Sequence, residues 1–599
     1  MKFRVNAAAA ILLAASLVAA NAQTSGSSQH LKKHVPTTKT AKPATSSLEE
    51  QIQALRNEMQ SQIDSLKQDL ASKDAQLQKA QQDAAEARAT ASKAETDAQM
   101  QQTAVTENNS AVSTLQSTVS DLKSNQASLA TTVSDETTKI KKEIYTPDGI
   151  HFKGAVISFT GSFIAAETVN RTTATGGGLN TAFTGVPLQN SDAYQMSEFQ
   201  GTGRQSRLAI KGTSKLPNWV FAGYYEADWL GTGITSNNNQ SNSYVLRQRQ
   251  MWADARMNNG WDFSGGQGWS LVAETTQGLT RGSEILPATI DPQYEAGFVW
   301  TRQYSFRFSK NIGRSLFLGA SVENAEILNP AGQNLPGNFV FGSTGTGGGL
   351  YNPTANYSFN ESPDFVVKMA LEPGWGHWEL FGIERNFRDR IYPSGGTPYN
   401  NRQTGAGIGG GFRAPLFEKK VTVGLKGLWG QGVGRYGSST IADVTIRPDG
   451  TFSPLHGFSA LSTVELNPTR RLNIYFNYGG DYIGRDWTLN SNGQEVGYGT
   501  YTADMSGCGI ETQTAGAGAS GGAAITPAHC TANNKDVQEF TAGYWFNIHD
   551  SAAGRLRQGI QYSWIRRDLW SGNGGVTNPD GGAHGDDNMI FTSFRYYLP

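Results

Sequence analysis

Residues 47–144 contain neither proline nor glycine, although glycine makes up 69 of the 599 residues of the chain. Because these two residues interrupt helices most strongly, nothing in this stretch prevents one long helix. Cysteine is almost missing, since Cys508 and Cys530 are the only two, which excludes a disulfide-rich scaffold and a cysteine-based zinc site. A basic excess is missing too, because 50 lysines and arginines face 51 acidic residues. That balance argues against a nucleic-acid partner.

Long apolar runs are confined to the first 22 residues. There, AAAAILLAASLVAA follows the basic MKFR, and Ala20, Asn21 and Ala22 have the A-x-A form of a cleavage site. We therefore predict a secretory signal peptide over residues 1–22. No later run reaches the roughly 18 apolar residues that a membrane helix needs, so the exported chain should lack a helical anchor. Export leads to an oxidising compartment, and we predict a disulfide between Cys508 and Cys530.

Residues 23–46 form a basic linker rich in Ser, Thr, Lys and Pro. Such a composition is typical of a solvated tether. Its lysines also permit a second interpretation, which is contact with an anionic polymer such as the cell wall. These lysines are Lys32, Lys33, Lys39 and Lys42.

Residues 47–145 are predicted to form a coiled coil. From Ile63 onward, apolar residues recur at alternating spacings of three and four over about eleven heptads, more than the assignment requires. β-Branched residues at one seam position and leucine at the other favour two strands, but a run of alanines and the polar Asn108 and Gln126 weaken that preference. A helix this polar implies partner chains, and it would be roughly 145 Å long. The seam includes Ile63, Leu66, Leu70, Leu77, Val105, Val112, Leu115, Val119, Leu122, Leu129 and Val133.

Residues 150–599 have a different character, with short alternating, aromatic-rich segments between turn-rich stretches. We count about sixteen candidate strands. Long polar connections follow the odd-numbered strands, and short ones such as NIG, EPGW and NPTR follow the even-numbered strands, except for a longer link after the fourth. A soluble propeller has no reason to sort its loops in this way, whereas a transmembrane barrel does. The predicted fold class is an all-β transmembrane barrel of antiparallel strands, preceded by a coiled coil.

The faces of the strands agree with a barrel in lipid. KVTVGLKGLWG places Leu425 and Trp429 on one face and Lys426 on the other, as expected for lipid outside and water inside. The segment NMIFTSFRYYLP alternates too, and we expect it to close the barrel by pairing with HFKGAVISFTGSF near residue 151, because lipid cannot satisfy an open sheet edge. Other outward faces are Trp219, Phe221, Tyr225 and Trp229; Phe365, Val367, Met369 and Leu371; and Leu472, Ile474, Phe476 and Tyr478.

The order of these features carries a resemblance. With a signal peptide, a coiled coil, the first strand IHFKGAVISFTG, sixteen strands and the aromatic end SFRYYLP, the chain resembles bacterial outer-membrane porins of the DcaP-like and phosphate-selective porin O/P type. It departs from the usual outer-membrane pattern, because its last residue is Pro599 and not phenylalanine. The resemblance implies a homotrimer in outer-membrane lipid, with its coiled coil in the periplasm, that passes small hydrophilic and often anionic solutes such as phosphate or carboxylates by diffusion. We adopt this trimer over the dimer that the seam alone favours.

Strand parity identifies charged candidates for the pore lining, where rings of charge attract counter-ions. Arg247 and Arg249 are the sharpest pair, and they form either an anion-attracting rung or a structural pair neutralised by acids such as Glu226. Because basic candidates outnumber acidic ones, the count predicts anion preference. The basic candidates are Arg207, Lys211, Arg247, Arg249, Arg307, Lys368, Lys426 and Arg595, and the acidic ones are Glu226, Asp228 and Glu274.

The third long loop, TRGSEILPATIDPQY, is expected by the resemblance alone to fold inward and narrow the pore with Arg281, Glu284 and Asp291. The histidines match no metal-binding motif, so we expect no metal site, no cofactor and no catalytic residue. Two rival functions stay open. One is a structural anchor whose coiled coil tethers the membrane to the cell wall through the basic linker, and the other is a channel specific for phosphate or dicarboxylates.

Overall fold

The computed structural model describes residues 100, 103, 106, 107, 109–137, 149–176, 178–231, 244–344, 356–511, 526–574 and 582–599. The predicted signal peptide, the basic linker and most of the predicted coiled coil lie outside these residues. Within the described ranges, no helix combines the length and the apolar character that crossing a membrane requires.

Residues 109–137 form one continuous helix, and every side chain on it is exposed. Its seam residues include Val112 and Leu129, which are 50% and 65% exposed, and Leu115 and Leu122 at 61% and 63%. A row of large apolar side chains this exposed has no stabilising role in a single helix. The described part of the predicted coiled coil is therefore helical, with its apolar seam facing solvent.

Across the described residues there are twenty-six strands, of which twenty form one antiparallel sheet and the other six form three two-stranded sheets. They are β1 (Ile150–Phe152), β2 (Ala155–Ser158), β3 (Phe163–Arg171), β4 (Glu198–Thr202), β5 (Arg207–Lys215), β6 (Trp219–Gly231), β7 (Val245–Met257), β8 (Trp261–Trp269), β9 (Arg302–Ile312), β10 (Leu316–Glu323), β11 (Phe339–Val340), β12 (Gly342–Thr344), β13 (Asn356–Ser358), β14 (Asp364–Leu371), β15 (His377–Ile391), β16 (Tyr399–Leu416), β17 (Val421–Gln431), β18 (Val444–Ile446), β19 (Phe452–Pro454), β20 (His456–Leu466), β21 (Leu472–Ile483), β22 (Asp486–Leu489), β23 (Glu495–Tyr498), β24 (Asn534–Ser551), β25 (Gly554–Leu569) and β26 (His584–Tyr597). Short 3-10 helices cover Phe183–Gly185, Asp192–Gln195, Gly434–Tyr436 and Pro527–His529.

The sheet closes into a barrel with sixteen wall positions, which confirms the predicted fold class of the β-region. β2 and β3 share the first position, β4 and β5 share the second, and single strands occupy the others. Closure comes from β26, which pairs with β3 from Met589 opposite Arg171 to Tyr597 opposite Phe163. Every backbone group of the ladder can thus be paired without a free edge.

The predicted partner of the closing strand was wrong by about ten residues. Residues near 151 do not reach β26, because β1 folds back on β2 as a hairpin. The reversal occurs at Lys153 and Gly154, which both have positive φ angles of 50° and 87°. A two-residue turn of this kind matches the twist of paired strands. The closing partner is therefore β3, the next segment along the chain.

The loops are sorted by length, as predicted. Connections on one rim of the barrel, which we call the short-turn rim, are brief, such as residues 258–260 between β7 and β8. The predicted longer link after the fourth strand was wrong, because β8 begins at Trp261. Long connections, including residues 172–197, 270–301, 432–455 and 484–533, all leave from the opposite rim, the long-loop rim.

The outer face of the barrel is apolar, which confirms the predicted outward residues. Val367 and Trp429 are each 60% exposed, and Phe306 is 70% exposed. Inward neighbours on the same strands, such as Lys368 and Lys426, are buried. The interior also contains apolar clusters, because residues of the long connections pack against inward side chains such as Phe381 of β15. The outer face of the barrel is thus apolar, and its interior is densely packed.

Candidate functional site

Residues 270–301 leave the wall after β8 and cross the barrel interior before β9 begins; we call them the inserted segment. Near its start, the Lys368 Nζ atom on β14 donates to the Ala273 carbonyl oxygen at 2.7 Å. Further on, the Trp545 Nε1 atom on β24 donates to the Ala288 oxygen at 2.7 Å. β14 and β24 hold the eighth and fourteenth wall positions. The inserted segment therefore makes contacts with widely separated parts of the wall.

Two glycines allow the inserted segment to lie directly against the wall. Gly297 has a φ of +82°, and a Cβ atom there would lie 1.9 Å from the Ala460 carbonyl oxygen on β20. At Gly479 on β21, a Cβ atom would lie 2.2 Å from the Ala296 oxygen. Both distances are far below van der Waals contact, so each position needs glycine.

Wall cations hold the inserted segment by its backbone. The Arg307 guanidinium on β9 donates to the carbonyl oxygen of Leu279 in the inserted segment at 3.2 Å, and to that of Trp269, the last residue of β8, at 2.7 Å. Arg595 on β26 donates to the Ile290 oxygen at 2.5 Å and is paired with Glu167 of β3 at 2.6 Å. A buried loop leaves carbonyl groups without ladder partners, and these cations satisfy them.

Glu379 on β15 is the centre of the strongest charged cluster. Its Oε1 atom accepts hydrogen bonds from the Thr275 backbone nitrogen at 2.8 Å and from Lys368 Nζ at 2.6 Å. Its Oε2 atom accepts from Lys426 Nζ at 2.7 Å, and the His377 Nε2 atom lies 3.0 Å from Oε1. One buried carboxylate thus pairs with two buried lysines and binds the inserted segment.

The predicted arginine rung on β7 is neutralised by acids of β6. Arg249 is paired with Glu226 at 2.5 Å and with Asp228 at 2.7 Å. Arg247 donates two hydrogen bonds to Asp228, at 3.0 and 2.9 Å. A β-bulge between β6 and β7 lies at these residues, so their side chains do not follow simple alternation. The geometry matches the structural alternative for this pair.

Most of the eleven predicted pore-lining residues are buried, and all of them except Glu274 belong to the inner face of the wall. Their burial departs from the expected wet lumen, because the long connections pack over them. Glu274 was assigned to a strand but lies in the inserted segment, where it accepts from Arg413 of β16 at 2.7 Å. The buried candidates are Arg249, Arg307, Lys368, Lys426, Arg595, Glu226 and Asp228, and the half-buried ones are Arg207, Lys211 and Arg247.

The three constriction candidates all lie in the inserted segment. Arg281 donates to Ser264 Oγ on β8 at 2.9 Å and to the Ser305 oxygen on β9 at 3.1 Å. Burial, followed by repulsion from Arg307, lowers the pKa of Arg281 to about 10. Glu284 accepts from Arg307 at 3.0 Å. Two of the candidates are thus fixed against β8 and β9, rather than projecting into an opening.

The third candidate, Asp291, lies in an acidic part of the interior. Its Oδ1 atom accepts from Gln205 at 2.9 Å, while Oδ2 has no hydrogen-bond donor among the described residues. Burial raises the pKa of Asp291 to about 8. Burial, then repulsion from Glu539, also raises the pKa of Glu295 well above its ordinary range. These two carboxyl groups therefore favour the protonated state while the inserted segment lies in the barrel interior.

Two inward arginines near the short-turn rim were missed by the sequence analysis. The Arg557 guanidinium on β25 lies 4.2 Å from the ring centre of Trp545, and Arg555 lies 4.6 Å from the ring of Tyr597. Both side chains are half-buried, and the Nε atoms have no acceptor among the described residues. Arg557 is directly opposite Arg595 in the ladder. The alternation of R-L-R at 555–557 was the signal that could have identified them.

Together, these residues form what we call the rim cations: Arg207, Lys211, Arg555, Arg557 and Arg595. They come from adjacent wall positions, formed by β25, β26 and β5 with β3 between them. Acids neutralise two of them, since Arg595 pairs with Glu167 and Arg207 lies 3.5 Å from Glu226. The band therefore carries an excess of positive charge.

At the opposite rim, Cys508 and Cys530 form a disulfide in the structure. It closes a loop within the connection between β23 and β24. Cys508 is buried next to Met505 and Leu569. Across the described ranges, no group of three or more His, Cys, Asp and Glu side chains has an arrangement that could hold a metal ion.

Comparison with known proteins gives alignments to solved structures alone. No family model matches the chain, and no curated protein matches it. Among solved structures, the outer-membrane channel DcaP of Acinetobacter baumannii aligns with 13% identity and a TM-score of 0.48, covering 75% of this chain and 99% of that chain. The anion-selective porin from Comamonas acidovorans has 10% identity and a TM-score of 0.36, covering 74% of this chain and all of that one. The trimer form of OmpT of Vibrio cholerae has 8% identity and a TM-score of 0.36, with the same coverage.

Proposed function

We propose that this chain is an outer-membrane porin that passes small hydrophilic solutes by passive diffusion and prefers anions such as phosphate or carboxylates. Three features support the location. The barrel has no free edge, its outer face is apolar, and its loops are sorted by rim, as in outer-membrane barrels. By that rule the short-turn rim faces the periplasm and the long-loop rim faces the exterior.

The observation that carries the anion preference is the band of rim cations. Arg555 and Arg557 are half-buried and held by aromatic rings, and neither forms an ion pair among the described residues. An arginine fork binds two oxygens of a carboxylate or a phosphate. A positive band on the inner wall raises the local concentration of anions and lowers that of cations.

The test is the reversal potential of the purified protein in a planar bilayer under a salt gradient. Exchanging Arg555 and Arg557 for glutamine should shift the reversal potential toward cations. The matched control is Arg566→Gln, because Arg566 lies on the same strand but on the outer face, paired with Asp568. A double variant that keeps the anion preference of the unmodified protein would contradict the proposal.

We also propose that the protein is a homotrimer whose coiled coil lies in the periplasm. The exposed seam of residues 109–137 supports this, because Val112, Leu115 and Leu122 would be buried between helices of partner chains. Crosslinking of the purified full chain checks the proposal, since trimers should predominate. Loss of trimers after deletion of residues 47–145 would assign the assembly to the coil.

The dense packing of the barrel interior favours a second candidate function, a structural anchor. Seven of the eleven predicted lining residues are buried, so a closed barrel with a long helix would suit a tether between the membrane and the cell wall. In this case the basic linker makes the wall contact, and deletion of residues 23–46 should release the protein from wall fractions. Absence of conductance in a folded barrel would favour this candidate over the porin.

A further inference from the structure

The hairpin of β15 and β16 projects beyond its neighbours at the long-loop rim. Pairing with β14 ends where Phe365 faces Glu384, and pairing with β17 ends where Gly407 faces Gly430. Beyond β14, the β15 edge pairs with the two-residue strand β11, at Arg390 and Ile391. The two hairpin strands stay paired with each other as far as Ile391 and Tyr399. The projecting part therefore has one face toward the long loops and one toward the surroundings of the barrel.

The burial of alternate residues identifies the two faces of the projecting part of the hairpin. Phe387 and Ile391 are buried, and Phe387 packs against Phe452 and other residues of the long connections. The alternate residues Arg388 and Arg390 lie on the opposite face, together with Arg402 of β16. We call these three arginines the outer patch.

The outer patch brings like charges together. Arg388 is directly opposite Arg402 in the ladder, and like charges in this position destabilise a sheet. Arg402 pairs with Glu361, whereas the Arg388 Nε atom donates to the Phe359 carbonyl oxygen at 2.8 Å. Arg390 donates to the neutral Asn400 side chain at 2.9 Å. One carboxylate thus faces three guanidinium groups, and 71% of the Arg402 side chain is exposed.

The height of the patch above the apolar belt matches a membrane surface. Phe365, which is 42% exposed and faces Glu384, is the outward apolar residue of β14 nearest the long-loop rim. Arg388 follows Glu384 by four residues, which is about 13 Å along a strand and about 10 Å in height for a tilted wall. At that level the outer side of a membrane barrel meets lipid headgroups.

We propose that the outer patch binds the phosphate groups of an anionic glycolipid in the outer leaflet. The inference rests on the proposed outer-membrane location. The outward face excludes solutes in the lumen as the natural occupant, and the position excludes acyl chains. Planar guanidinium forks on neighbouring strands can hold a phosphate by paired, charge-assisted hydrogen bonds, and the phosphate relieves the repulsion between Arg388 and Arg402.

The test compares two double variants of the full-length protein. Arg388→Gln with Arg402→Gln removes the opposed pair, and Arg470→Gln with Arg471→Gln makes the same charge change at exposed positions of the short-turn rim. Each protein is reconstituted in vesicles containing either lipopolysaccharide or its dephosphorylated form, and the glycolipid retained per barrel is measured after extraction. We expect the first variant to lose about tenfold in affinity for the phosphorylated form and the control to lose nothing.

Equal retention by both variants would overturn the proposal, as would an equal loss for the dephosphorylated glycolipid. Displacement of bound lipopolysaccharide by millimolar inorganic phosphate would also overturn the proposal, because the site would then recognise free phosphate as well as the glycolipid. A heat-modifiable gel mobility shows that each variant is folded. Conductance of the same samples is recorded separately, so loss of glycolipid binding by the outer patch and loss of channel activity give different results.

Discussion

Replacing Glu379 with glutamine should loosen the inserted segment. The carboxylate is buried, and it binds Lys368 at 2.6 Å, Lys426 at 2.7 Å and the Thr275 nitrogen at 2.8 Å. An amide leaves both ammonium groups without a counter-charge, and breaking a buried ion pair in this way costs about 3–5 kcal/mol. Lys426→Met should cost less, because Glu379 then keeps Lys368 as its partner. The expected order of destabilisation is Glu379→Gln, then Lys426→Met.

The assay is urea unfolding followed by gel mobility, together with single-channel conductance. Glu384→Gln is the matched control, because Glu384 lies on the same strand at an exposed outward position. Its cost should be within about 0.5 kcal/mol. Conductance should rise in Glu379→Gln, since the inserted segment loses its centre of attachment near β15. If Glu379→Gln and Glu384→Gln cost the same, the reasoning about the buried cluster is refuted.

Further predictions concern other parts of the chain. Asp291 binds a proton in the folded protein up to its pKa of about 8, whereas the unfolded group releases it near 4. The free energy of unfolding should therefore fall as the pH rises from about 4 to about 8, and Asp291→Asn should weaken this trend in urea midpoints. Gly479→Ala should displace the inserted segment and change conductance, and an unchanged channel would contradict the close contact at Ala296. Alkylation of Cys508 and Cys530 should require prior reduction, and labelling without a reductant would contradict the disulfide. Leu122→Lys should weaken the oligomer in sedimentation, and an unaffected trimer would exclude the seam as its interface.

The wall of the barrel could be predicted because lipid imposes a strict pattern. Segments such as KVTVGLKGLWG alternate over most of their length, with Leu425 and Trp429 facing outward, although the apolar Leu428 lies on the inner face. Loop sorting by rim follows from the same architecture, and it distinguished a membrane barrel from a soluble fold, while the count of strand segments predicted sixteen wall positions. The closing partner was misplaced because alternation continues through residues 150–158, where a turn at Lys153 and Gly154 redirects the chain.

The interior could not be predicted in the same way. The inserted segment is held by side chain to backbone contacts, such as Lys368 to Ala273, and these leave no periodic signal in the sequence. Glu274 illustrates the difficulty, because its surroundings resembled a strand while its partner, Arg413, is 139 residues away. The bulge at Arg249 likewise shifts parity where the charges matter most. Charged residues were thus assigned to the correct face, but their neutralisation depends on long-range contacts.

The most direct test of the account is single-channel recording of the purified protein in a planar bilayer, with the reversal potential measured in a salt gradient. The account predicts stepwise conductance in groups of three with a preference for anions, and a weaker preference after Arg555→Gln with Arg557→Gln. A folded, heat-modifiable barrel that does not conduct would contradict the porin and favour the anchor. Conductance with a cation preference would contradict the role assigned to the rim cations.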